Sequence, residues 1–356
     1  MTALDIHKHL YVTILAGGVG SRFWPASTRA KPKQLLPLAT SEPMVVDTVN
    51  RALKLVSPER IRILAGEHLH ESLQNLLPDL PSESFKIEPQ VRGTAAALTW
   101  AAWEIYNLDP EALMLSLHAD HIIEPEENFL NLVGDIVTLL ETTDLLFTIA
   151  VNPDREETGY GYIEPGKSLA IRGKTEAFEV NSFKEKPGLE RVKEYLKKGY
   201  LWNSGIFAWK AKSFIDEINS ITPEISKFLF YLDENRPIDF FEHIPVMTVD
   251  EGILERSSRI ATVSANFRWD DIGTWSSLTR VRPKDENGNV LIGKSELLDT
   301  KNSVIYSEDV TFITYGIEDL ILIQAGDVVL ATHKSLAADL KILLDKLSDP
   351  VIGEDP

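Results

Sequence analysis

The sequence has 356 residues and carries 36 Lys and Arg against 54 Asp and Glu, a formal net charge of −18. Hydrophobic residues make up 44% and charged residues 25%, which excludes disordered, collagen-like and coiled-coil chains and allows about two globular domains. The excess of negative charge argues against nucleic acid or an anionic membrane as a partner, because phosphate groups would be repelled. A small anionic substrate stays compatible if Arg and Lys gather in one cleft.

The chain contains no cysteine, which excludes disulfides, zinc–thiolate sites, iron–sulfur clusters and a Cys nucleophile. That composition fits a reducing compartment. Residues 1–9 carry Asp5, His7, Lys8 and His9 instead of an apolar run, so we expect no signal peptide. No run reaches the roughly 18 apolar residues of a membrane-spanning helix. We therefore expect a cytoplasmic protein with no membrane partner.

Short apolar runs alternate with helical stretches through the first part of the chain. Residues 10–15 are β-branched and apolar and stop at Gly17 and Gly18, as expected for a buried strand that enters a glycine loop. Further strands are predicted at 61–65, 113–117 and 145–151, and helices at 44–55, 94–106 and 128–140. This alternation predicts a Rossmann-like α/β fold with a mixed, mainly parallel sheet.

After about residue 150 the pattern changes to shorter β-rich runs at 159–163, 177–183 and 205–209. We expect these to form a lid or second lobe over the carboxyl edge of the sheet, where open α/β sheets bind ligands. A polar, turn-rich linker at 282–288 then predicts a boundary between a domain at 1–283 and a domain at 288–356.

The second predicted domain is small and β-rich. Its short β-rich runs lie at 290–292, 304–306, 311–314, 320–323 and 328–331, with a spacing typical of a small β-domain or a solenoid. Leucines at helical spacing follow, which predicts an amphipathic closing helix over residues 335–347.

The strongest chemical signal is the loop after the first strand, which reads Ala16-Gly-Gly-Val-Gly-Ser-Arg-Phe-Trp-Pro25 and is followed by Lys31-Pro-Lys-Gln34. Glycines after a strand let backbone N–H groups approach a phosphate without interference from Cβ atoms. Basic side chains on the same loop add the charge that a triphosphate needs. We predict phosphate binding by the backbone and side chains of Ala16, Gly17, Gly18, Gly20, Arg22 and Lys33.

Two other nucleotide-binding patterns do not fit. A dinucleotide fingerprint that begins at Gly18 needs a glycine at position 23, where Phe23 stands, and this argues against a nicotinamide oxidoreductase. Residues 161–168 match the P-loop pattern letter for letter, yet they follow a polar segment and no helix start follows them. We therefore predict no P-loop there.

Two aspartates are candidate metal ligands. Asp120 follows a predicted strand, a usual position for a metal carboxylate, and a helix N-cap is the alternative. Asp271 lies between the bulky residues Trp269 and Ile272, where burial of a carboxylate without a partner would be costly. A metal shared by Asp120 and Asp271 would satisfy both, although the adjacent Asp270 leaves the choice of ligand open.

A series of segments between residues 10 and 280 resembles the sugar-phosphate nucleotidyltransferases, in the order found in that family. The Trp24-Pro25 and Lys33-Gln34 pairings most resemble its guanylyltransferases. The remaining segments are Glu88-Pro89 with Arg92-Gly-Thr-Ala95, His118-Ala-Asp-His121, Glu157-Thr-Gly-Tyr-Gly-Tyr-Ile163, Phe183-Lys-Glu-Lys-Pro187, Trp202-Asn-Ser-Gly-Ile-Phe207 and Trp269-Asp-Asp-Ile-Gly-Thr-Trp275.

This resemblance implies that GMP is transferred from GTP to mannose 1-phosphate, which gives GDP-mannose and pyrophosphate. It implies Mg²⁺ on Asp120 and Asp271, and it favours Asp271 over Asp270 because Asp271 precedes Ile-Gly as in the family motif. It also implies that the C-terminal domain is a short left-handed β-helix used in self-association, so that the protein is a homodimer.

The resemblance further assigns the substrate-binding residues. Glu88 would read the base, since a carboxylate accepts hydrogen bonds and guanine offers the adjacent donors N1–H and N2–H₂. Gly93 and Thr94 are also implied to bind substrate. Gly93 stands where many relatives carry Asn, so any contact of Gly93 with the substrate would come from its backbone. The implied sugar-site residues are Tyr160, Gly161, Glu185 and Asn203, with Lys186 on the phosphate of the sugar.

Two alternatives stay open. One is a uridylyl- or thymidylyltransferase of the same class, against which Glu88 and the Trp24-Pro25 and Lys33-Gln34 pairings argue. The other is a silent regulator that senses a nucleotide sugar, which should have lost a basic residue or a metal-binding Asp, although all are present. We also expect no isomerase activity, because His333 is the sole His after the linker.

Overall fold

The structure is a computed structural model and describes residues 6–18, 20–172 and 175–347. Part of the polar N-terminal segment, Val19 of the glycine loop and the last residues of the second predicted domain lie outside these ranges. The chain forms two compact units, the first made of Met1–Ala16, Val49–His118 and Ile123–Trp269 and the second of Gly17–Thr48, Ala119–Ile122 and Asp270–Pro356. The division at 283–288 remains a prediction.

The first unit is built on a nine-stranded sheet. Its strands are β1 (Leu10–Leu15), β2 (Ile61–Gly66), β3 (Phe85–Glu88), β4 (Leu113–His118), β6 (Leu146–Val151), β7 (Tyr162–Arg172), β8 (Thr175–Lys184), β9 (Leu201–Lys210) and β10 (Ile260–Ser264). Their spatial order is β3-β2-β1-β4-β9-β6-β10-β8-β7. The short strands β5 (Ile122–Glu124) and β11 (Arg268–Asp270) pair separately.

The predicted α/β fold with a mixed sheet is confirmed. Strands β1 to β4 pair in parallel, as the apolar runs with intervening helices predict, and β6 pairs in parallel with β10. Antiparallel pairing enters with β9, which lies between β4 and β6. Parallel strands therefore make up one half of the sheet, and the other half is mixed.

The prediction that the β-rich runs between residues 159 and 209 form a lid or second lobe over the sheet is wrong. Strands β7, β8 and β9 belong to the main sheet itself. The side chains of Trp202, Phe207 and Trp209 on β9 are buried, and the ring of Trp209 stacks on Phe214 of the helix that follows this strand. The P-loop-like residues 161–168 lie mostly on β7, which forms a hairpin ladder with β8, and this confirms that they are no P-loop.

Helices cover this sheet and complete the core of the first unit. They are α1 (Met44–Ala52, shared with the second unit), α2 (His70–Leu76), α3 (Thr94–Leu108), α4 (Glu126–Leu140), α5 (Leu189–Lys197), α6 (Ala211–Ile221), α7 (Pro223–Ser226), α8 (Phe230–Asp233) and α9 (Pro237–His243). Helix α3 carries a run of small buried residues, Ala95 to Ala97, that lets it pack closely in this core.

The second unit contains a four-stranded sheet of β12 (Val290–Leu298), β13 (Val304–Tyr315), β14 (Leu320–Ala325) and β15 (Val328–His333). The first three strands pair in parallel and β15 closes the sheet antiparallel. In register, Val290 pairs with Val304 and Val304 with Ile321, and all three side chains are buried. Such a column of like side chains on successive parallel strands is typical of a β-helix-like coil.

The end of the chain differs in detail from the predicted closing helix. After the short helix α10 (Leu278–Val281) and the β-strands, a 3₁₀ helix over Lys334–Asp339 precedes a single α-helical turn, α11 (Leu340–Leu344). The buried side chains of Ala337, Leu340 and Leu344 join a hydrophobic cluster with Phe23 and Trp275. The leucine spacing thus predicted the burial of Leu340 and Leu344, but Leu336 is exposed and the first part of the segment is a 3₁₀ helix.

Candidate active site

The glycine loop opens the second unit directly after β1. Gly17 and Gly18 are exposed, and a Cβ built on either would meet nothing within 4 Å. The N–H of Ala16 donates to Leu64 O at 2.8 Å within the first unit, so that donor serves the sheet. The loop leads into a 3₁₀ turn, Ser21–Phe23, and not into a long helix. Open space and exposed backbone are what close approach of a phosphate requires.

Gly20 is required by the packing of the loop. Its φ is +71°, and a Cβ there would lie 2.6 Å from the Cβ of Lys33. Both the left-handed backbone and the close approach exclude other residues. Gly20 therefore allows the segment that carries Lys33 to lie against the glycine loop.

Lys33 is buried and its ammonium group links separate loops. Its Nζ lies 2.7 Å from Asp120 Oδ2 and donates to Asp271 O at 2.8 Å and to Ile272 O at 3.2 Å. An ammonium has three N–H donors, and these three acceptors match them. Lys33 thus holds the loop of Asp120 beside the loop of Asp271.

Arg22 contrasts with Lys33 because its side chain is exposed. Its Nη1 donates weakly to Gly273 O at 3.5 Å, next to Asp271. A guanidinium in this position keeps donors for an anion from solvent. The structure therefore brings together all four predicted catalytic residues of the second unit: Arg22, Lys33, Asp120 and Asp271.

The two neighbouring aspartates have different surroundings. Asp270 is the buried one, with 3% of its surface exposed, whereas Asp271 is half-buried, which reverses the burial expected from the sequence. Arg280 donates to both oxygens of Asp270, Nε to Oδ2 at 2.6 Å and Nη2 to Oδ1 at 3.0 Å. The N–H of Ile272 also donates to Asp270 Oδ1 at 2.9 Å.

These contacts make Asp270 the less suitable of the two aspartates as a metal ligand. The carboxylate of Asp270 is engaged by a bidentate guanidinium, so it serves the structure of the loop. Asp271 is the ligand that the resemblance favours, and its assignment stays a prediction. Arg280 was not singled out from the sequence, because no motif marks a partner ten residues along the chain.

The loop also contains strained backbone. Ile272 has φ +44°, which is rare for a β-branched residue, and its side chain is fully buried. Ile272 lies between Asp271 and Gly273, whose carbonyl oxygen accepts from Arg22 Nη1. Strain of this kind persists only where surrounding contacts enforce it.

Asp120 follows β4 and precedes β5, so it caps no helix and the N-cap alternative is excluded. Its Oδ2 faces Lys33, and its Oδ1 lies 3.9 Å from Nε2 of the buried His121. Carboxylate oxygens from two loops tied by one ammonium are hard ligands of the kind that Mg²⁺ prefers. The donor set therefore fits a divalent metal.

In the first unit, the predicted base-reading residues lie at the end of β3 and the start of α3. Burial raises the pKa of the half-buried Glu88, the last residue of β3, to about 7. Gly93 has φ +83°, and a Cβ there would lie 2.3 Å from Met247 O. That backbone contact and the positive φ exclude any side chain at this position.

The predicted sugar-site residues form a second group in the first unit. Asn203 N donates to Gly161 O at 2.8 Å, and Lys186 N donates to Tyr160 O at 3.2 Å. A Cβ on Gly161 would lie 2.7 Å from Glu185 Oε2. The structure thus gathers all five residues, and Gly161 is required because the carboxylate of Glu185 occupies the space beside it.

One residue of this group was missed by the sequence analysis. Asp250 Oδ1 accepts a hydrogen bond from Asn203 Nδ2 at 2.9 Å. Burial, and secondarily the charge of Glu185, raise the pKa of Asp250 to about 7. The two partners are 47 residues apart in the sequence, and nothing in the local pattern marks Asp250.

Among the described residues, no helix combines the length and apolar character needed to cross a membrane.

The fold and the site geometry agree with comparisons to known proteins. The chain belongs to the nucleotidyl transferase family, whose model matches residues 11–288, and the MannoseP isomerase/GMP-like beta-helix domain matches residues 293–347. The resemblance described from the motifs is therefore confirmed.

Two similar proteins and one similar crystal structure show what this chain resembles. A mannose-1-phosphate guanylyltransferase of Salmonella montevideo is 35% identical over 349 residues, which is 94% of this chain and 73% of that protein. One of Escherichia coli (strain K12) is 34% identical over 357 residues, 95% of this chain and 73% of the relative. A crystal structure described as mannose-1-phosphate geranyltransferase from Thermus thermophilus has a TM-score of 0.86 at 29% identity and covers 95% of this chain and 99% of that chain.

Proposed function

We propose that this chain transfers GMP from GTP to mannose 1-phosphate and releases GDP-mannose and pyrophosphate. The observation that carries the proposal is the contact set of Lys33, whose ammonium ties the Asp120 loop to the Asp271 loop in the unit that contains the glycine loop. The names of relatives at about one-third identity support the choice of substrates.

The reaction needs no general base. A phosphate oxygen of mannose 1-phosphate, already ionised near neutral pH, attacks the α-phosphorus of GTP. The new bond between this oxygen and the α-phosphorus forms as the bond from the α-phosphorus to the bridging oxygen breaks, and the electron pair leaves with pyrophosphate. The residues therefore act by alignment and charge neutralisation.

Each residue of the second unit has a role in that scheme. The exposed backbone of Gly17 and Gly18, together with the exposed guanidinium of Arg22, binds the triphosphate and neutralises charge on the leaving pyrophosphate. Lys33 holds Asp120 and the Asp271 loop in position and adds a fixed positive charge. Because the three N–H donors of Lys33 are engaged by Asp120, Asp271 O and Ile272 O, Lys33 acts on the triphosphate through its charge and donates no hydrogen bond to it.

Nucleotidyltransferases generally use a divalent metal, and we propose that here the ion is Mg²⁺ held by Asp120 and Asp271. When bound, Mg²⁺ supplies positive charge to the phosphate oxygens as the transition state forms. Asp270 is not assigned as a ligand, since Arg280 engages both of its oxygens.

The candidate site residues of the first unit bind the guanine base and the mannose ring. Glu88 accepts hydrogen bonds from N1–H and N2–H₂ of guanine, and Gly93 and Thr94 contribute backbone at the start of α3. Tyr160, Gly161, Glu185 and Asn203 surround the mannose hydroxyls. Lys186, whose Nζ lies 2.8 Å from Glu185 Oε1, meets the phosphate of the sugar.

A pyrophosphate-release assay tests the reaction directly. Four nucleoside triphosphates are crossed with the 1-phosphates of mannose, glucose and fucose, with Mg²⁺ present. We expect GTP with mannose 1-phosphate to give the highest kcat/KM. A preference for UTP or for dTTP would assign another member of the class, and no release with any pair would support a silent sensor.

We also propose a homodimer and a cytoplasmic location. On the C-terminal sheet, Leu298 pairs in register with Tyr315, and Ile313 lies two residues before it, with these side chains 61%, 71% and 80% exposed. A second copy of the chain would cover this apolar face. Light scattering should report the mass of a dimer, and Ile313→Lys should reduce it to that of a monomer. The lack of cysteine fits a reducing cytoplasm.

A further inference from the structure

The side chain of Asp250 carries an inference beyond the roles assigned above. Asp250 begins a π-helical turn, Asp250–Leu254, between α9 and β10. Its carboxylate accepts a hydrogen bond from Asn203 Nδ2, so it lies within the group that contains Glu185 and Gly161. This acid belongs to none of the motifs found in the sequence.

The hydrogen bonds around Asn203 fix the orientation of its amide. The N–H of Gly205 donates to Asn203 Oδ1 at 3.3 Å, and the hydroxyl of Thr148 donates to the same oxygen at 2.7 Å. A backbone N–H can only donate, so the atom facing Gly205 is the amide oxygen. The amide nitrogen therefore points towards Asp250.

That orientation limits what Asn203 can do to a ligand. Both lone pairs of its oxygen are used by Gly205 and Thr148, and one N–H of its nitrogen is used by Asp250. One N–H donor is left. Asn203 can thus donate to a sugar hydroxyl, but it cannot accept from one.

A hydroxyl is recognised fully only when a site supplies both a donor and an acceptor, because it carries one O–H and two lone pairs. Asn203 supplies the donor, and an adjacent carboxylate supplies the acceptor. Asp250 already touches the same amide nitrogen, and the ammonium of Lys186 pairs with Glu185. Asp250 is therefore the carboxylate best placed to complete the pair.

The position of Asp250 is fixed from the opposite direction as well. Met247 N donates to Arg92 O at 3.0 Å, and Ala95 N donates to Met247 O at 3.2 Å. Val249 N donates to Thr94 Oγ1 at 2.9 Å. Three hydrogen bonds thus bind the segment before Asp250 to the start of α3, so the carboxylate is held by rigid structure on both sides.

We propose that Asp250 is a specificity-determining residue of the sugar site, which accepts a hydrogen bond from the same mannose hydroxyl that accepts one from Asn203. The inference rests on the proposed function, in which Asn203 reads the sugar. It adds the acceptor that Asn203 lacks, and it assigns Asp250 a contact with substrate in addition to its contact with the amide.

Substitution with matched substrates tests this assignment. Wild-type protein is first assayed with GTP and mannose 1-phosphate, and lack of turnover at this step would contradict the proposed function and not the role of Asp250 within it. Asp250→Asn is then compared with the 2-, 3-, 4- and 6-deoxy analogues of mannose 1-phosphate. An Asn oxygen still accepts from Asn203, so the amide keeps its orientation.

We expect Asp250→Asn to lower kcat/KM for mannose 1-phosphate at least about tenfold, through KM, with the KM for GTP unchanged. One of the deoxy analogues lacks the hydroxyl that donates to Asp250. With that analogue, the substitution should lower kcat/KM less than about threefold. Equal losses with all four analogues would overturn the contact. Full activity of Asp250→Asn beside an impaired Asp250→Ala would show that Asp250 only positions Asn203.

A measurement on wild-type protein decides the matter if the variant fails to fold. Carbodiimide with an amine labels accessible carboxyls, and mass spectrometry locates the label. Mannose 1-phosphate should reduce labelling of Asp250 at least about fivefold, with no change at Asp216, which pairs with Lys212 on the surface of α6. Labelling of Asp250 that mannose 1-phosphate leaves unchanged would overturn the proposal.

Discussion

Asp120 and Asp270 of the second unit are partnered differently from Glu88 and Asp250 of the first. In the second unit, Asp120 pairs with the ammonium of Lys33 and Asp270 with the guanidinium of Arg280. In the first unit, Asp250 meets a neutral amide, and burial raises the pKa of Glu88 and of Asp250 to about 7.

This difference matches the chemistry that each region is proposed to perform. Carboxylates fixed by cations keep a defined geometry for a metal and a polyphosphate, whose charges are large and permanent. Carboxylates held by burial and amides suit neutral N–H and O–H donors, since a hydrogen bond from the ligand replaces lost hydration. The predictions below test whether the two regions really differ in this way.

The largest effect is expected in the second unit. Asp271→Asn keeps the size of the side chain and removes the charge that balances Mg²⁺, so kcat should fall at least about 10²-fold. Asp270→Asn should instead lower the melting temperature, because it removes the charge from the buried bidentate contact with Arg280 at a cost of about 2 kcal/mol. Pyrophosphate release and thermal unfolding measure the two effects. Near-normal turnover of Asp271→Asn, with Asp270→Asn inactive, would assign the metal to the other aspartate.

A second test concerns the packing that places Lys33. Gly20→Ala introduces a Cβ 2.6 Å from the Cβ of Lys33 at a φ of +71°, so the lysine must shift away from Asp120. We expect kcat to fall by tens of fold, about 2 kcal/mol in barrier height. Gly134→Ala is the control, since α4 leaves open space there, and it should keep full activity and gain about 0.5–1 kcal/mol of stability. Equal behaviour of the two variants would contradict this role of Gly20.

The base-reading prediction is of intermediate size. Glu88→Gln replaces an acceptor of two hydrogen bonds by an oxygen that accepts one and a nitrogen that donates. We expect kcat/KM for GTP to fall about tenfold, about 1.4 kcal/mol, and the gap between GTP and ITP to narrow because ITP lacks the 2-amino donor. ATP serves as the control substrate. An unchanged ratio of GTP to ITP would mean that Glu88 does not read the base.

The smallest effect is a dependence of GTP binding on pH. Burial raises the pKa of Glu88 to about 7, so this carboxyl is ionised above pH 7 and protonated below it. Only the ionised form accepts from both guanine donors, and the KM for GTP should therefore rise several-fold, about fivefold, between pH 8 and pH 6. Glu88→Gln, measured over the same range, reports the contribution of the triphosphate itself. Identical pH profiles of the two proteins would remove Glu88 as the cause.

The sequence predicted the parts of the fold that depend on local pattern. Continuous apolar runs identified β1, β2, β4 and β6, because strands buried on both faces need such runs. The place of β9 between β4 and β6 could not be predicted, since an apolar run does not specify its neighbours in a sheet. That is why three strands of the main sheet were interpreted as a lid.

The same distinction holds for the candidate site. The glycine loop and the position of Asp120 after a strand follow from local rules of backbone geometry. Arg280 beside Asp270 and Asp250 beside Asn203 are set by tertiary packing, and neither partner carries a local mark. Motifs thus identified candidate site residues, and they missed the partners that tertiary packing places beside them.

The backbone of Ile272 links the loop of Asp271 to the hydrophobic core. Its φ of +44° suits Gly or Asn, yet its fully buried side chain belongs to the cluster that contains Phe23 and Trp275. Asn would relax the backbone and leave a cavity, whereas a different aliphatic residue would keep the strain and fit less well. A substitution that changes the packing of Ile272 therefore also changes the backbone that orients Asp271. During evolution, changes in this part of the core and changes at Asp271 must accompany one another.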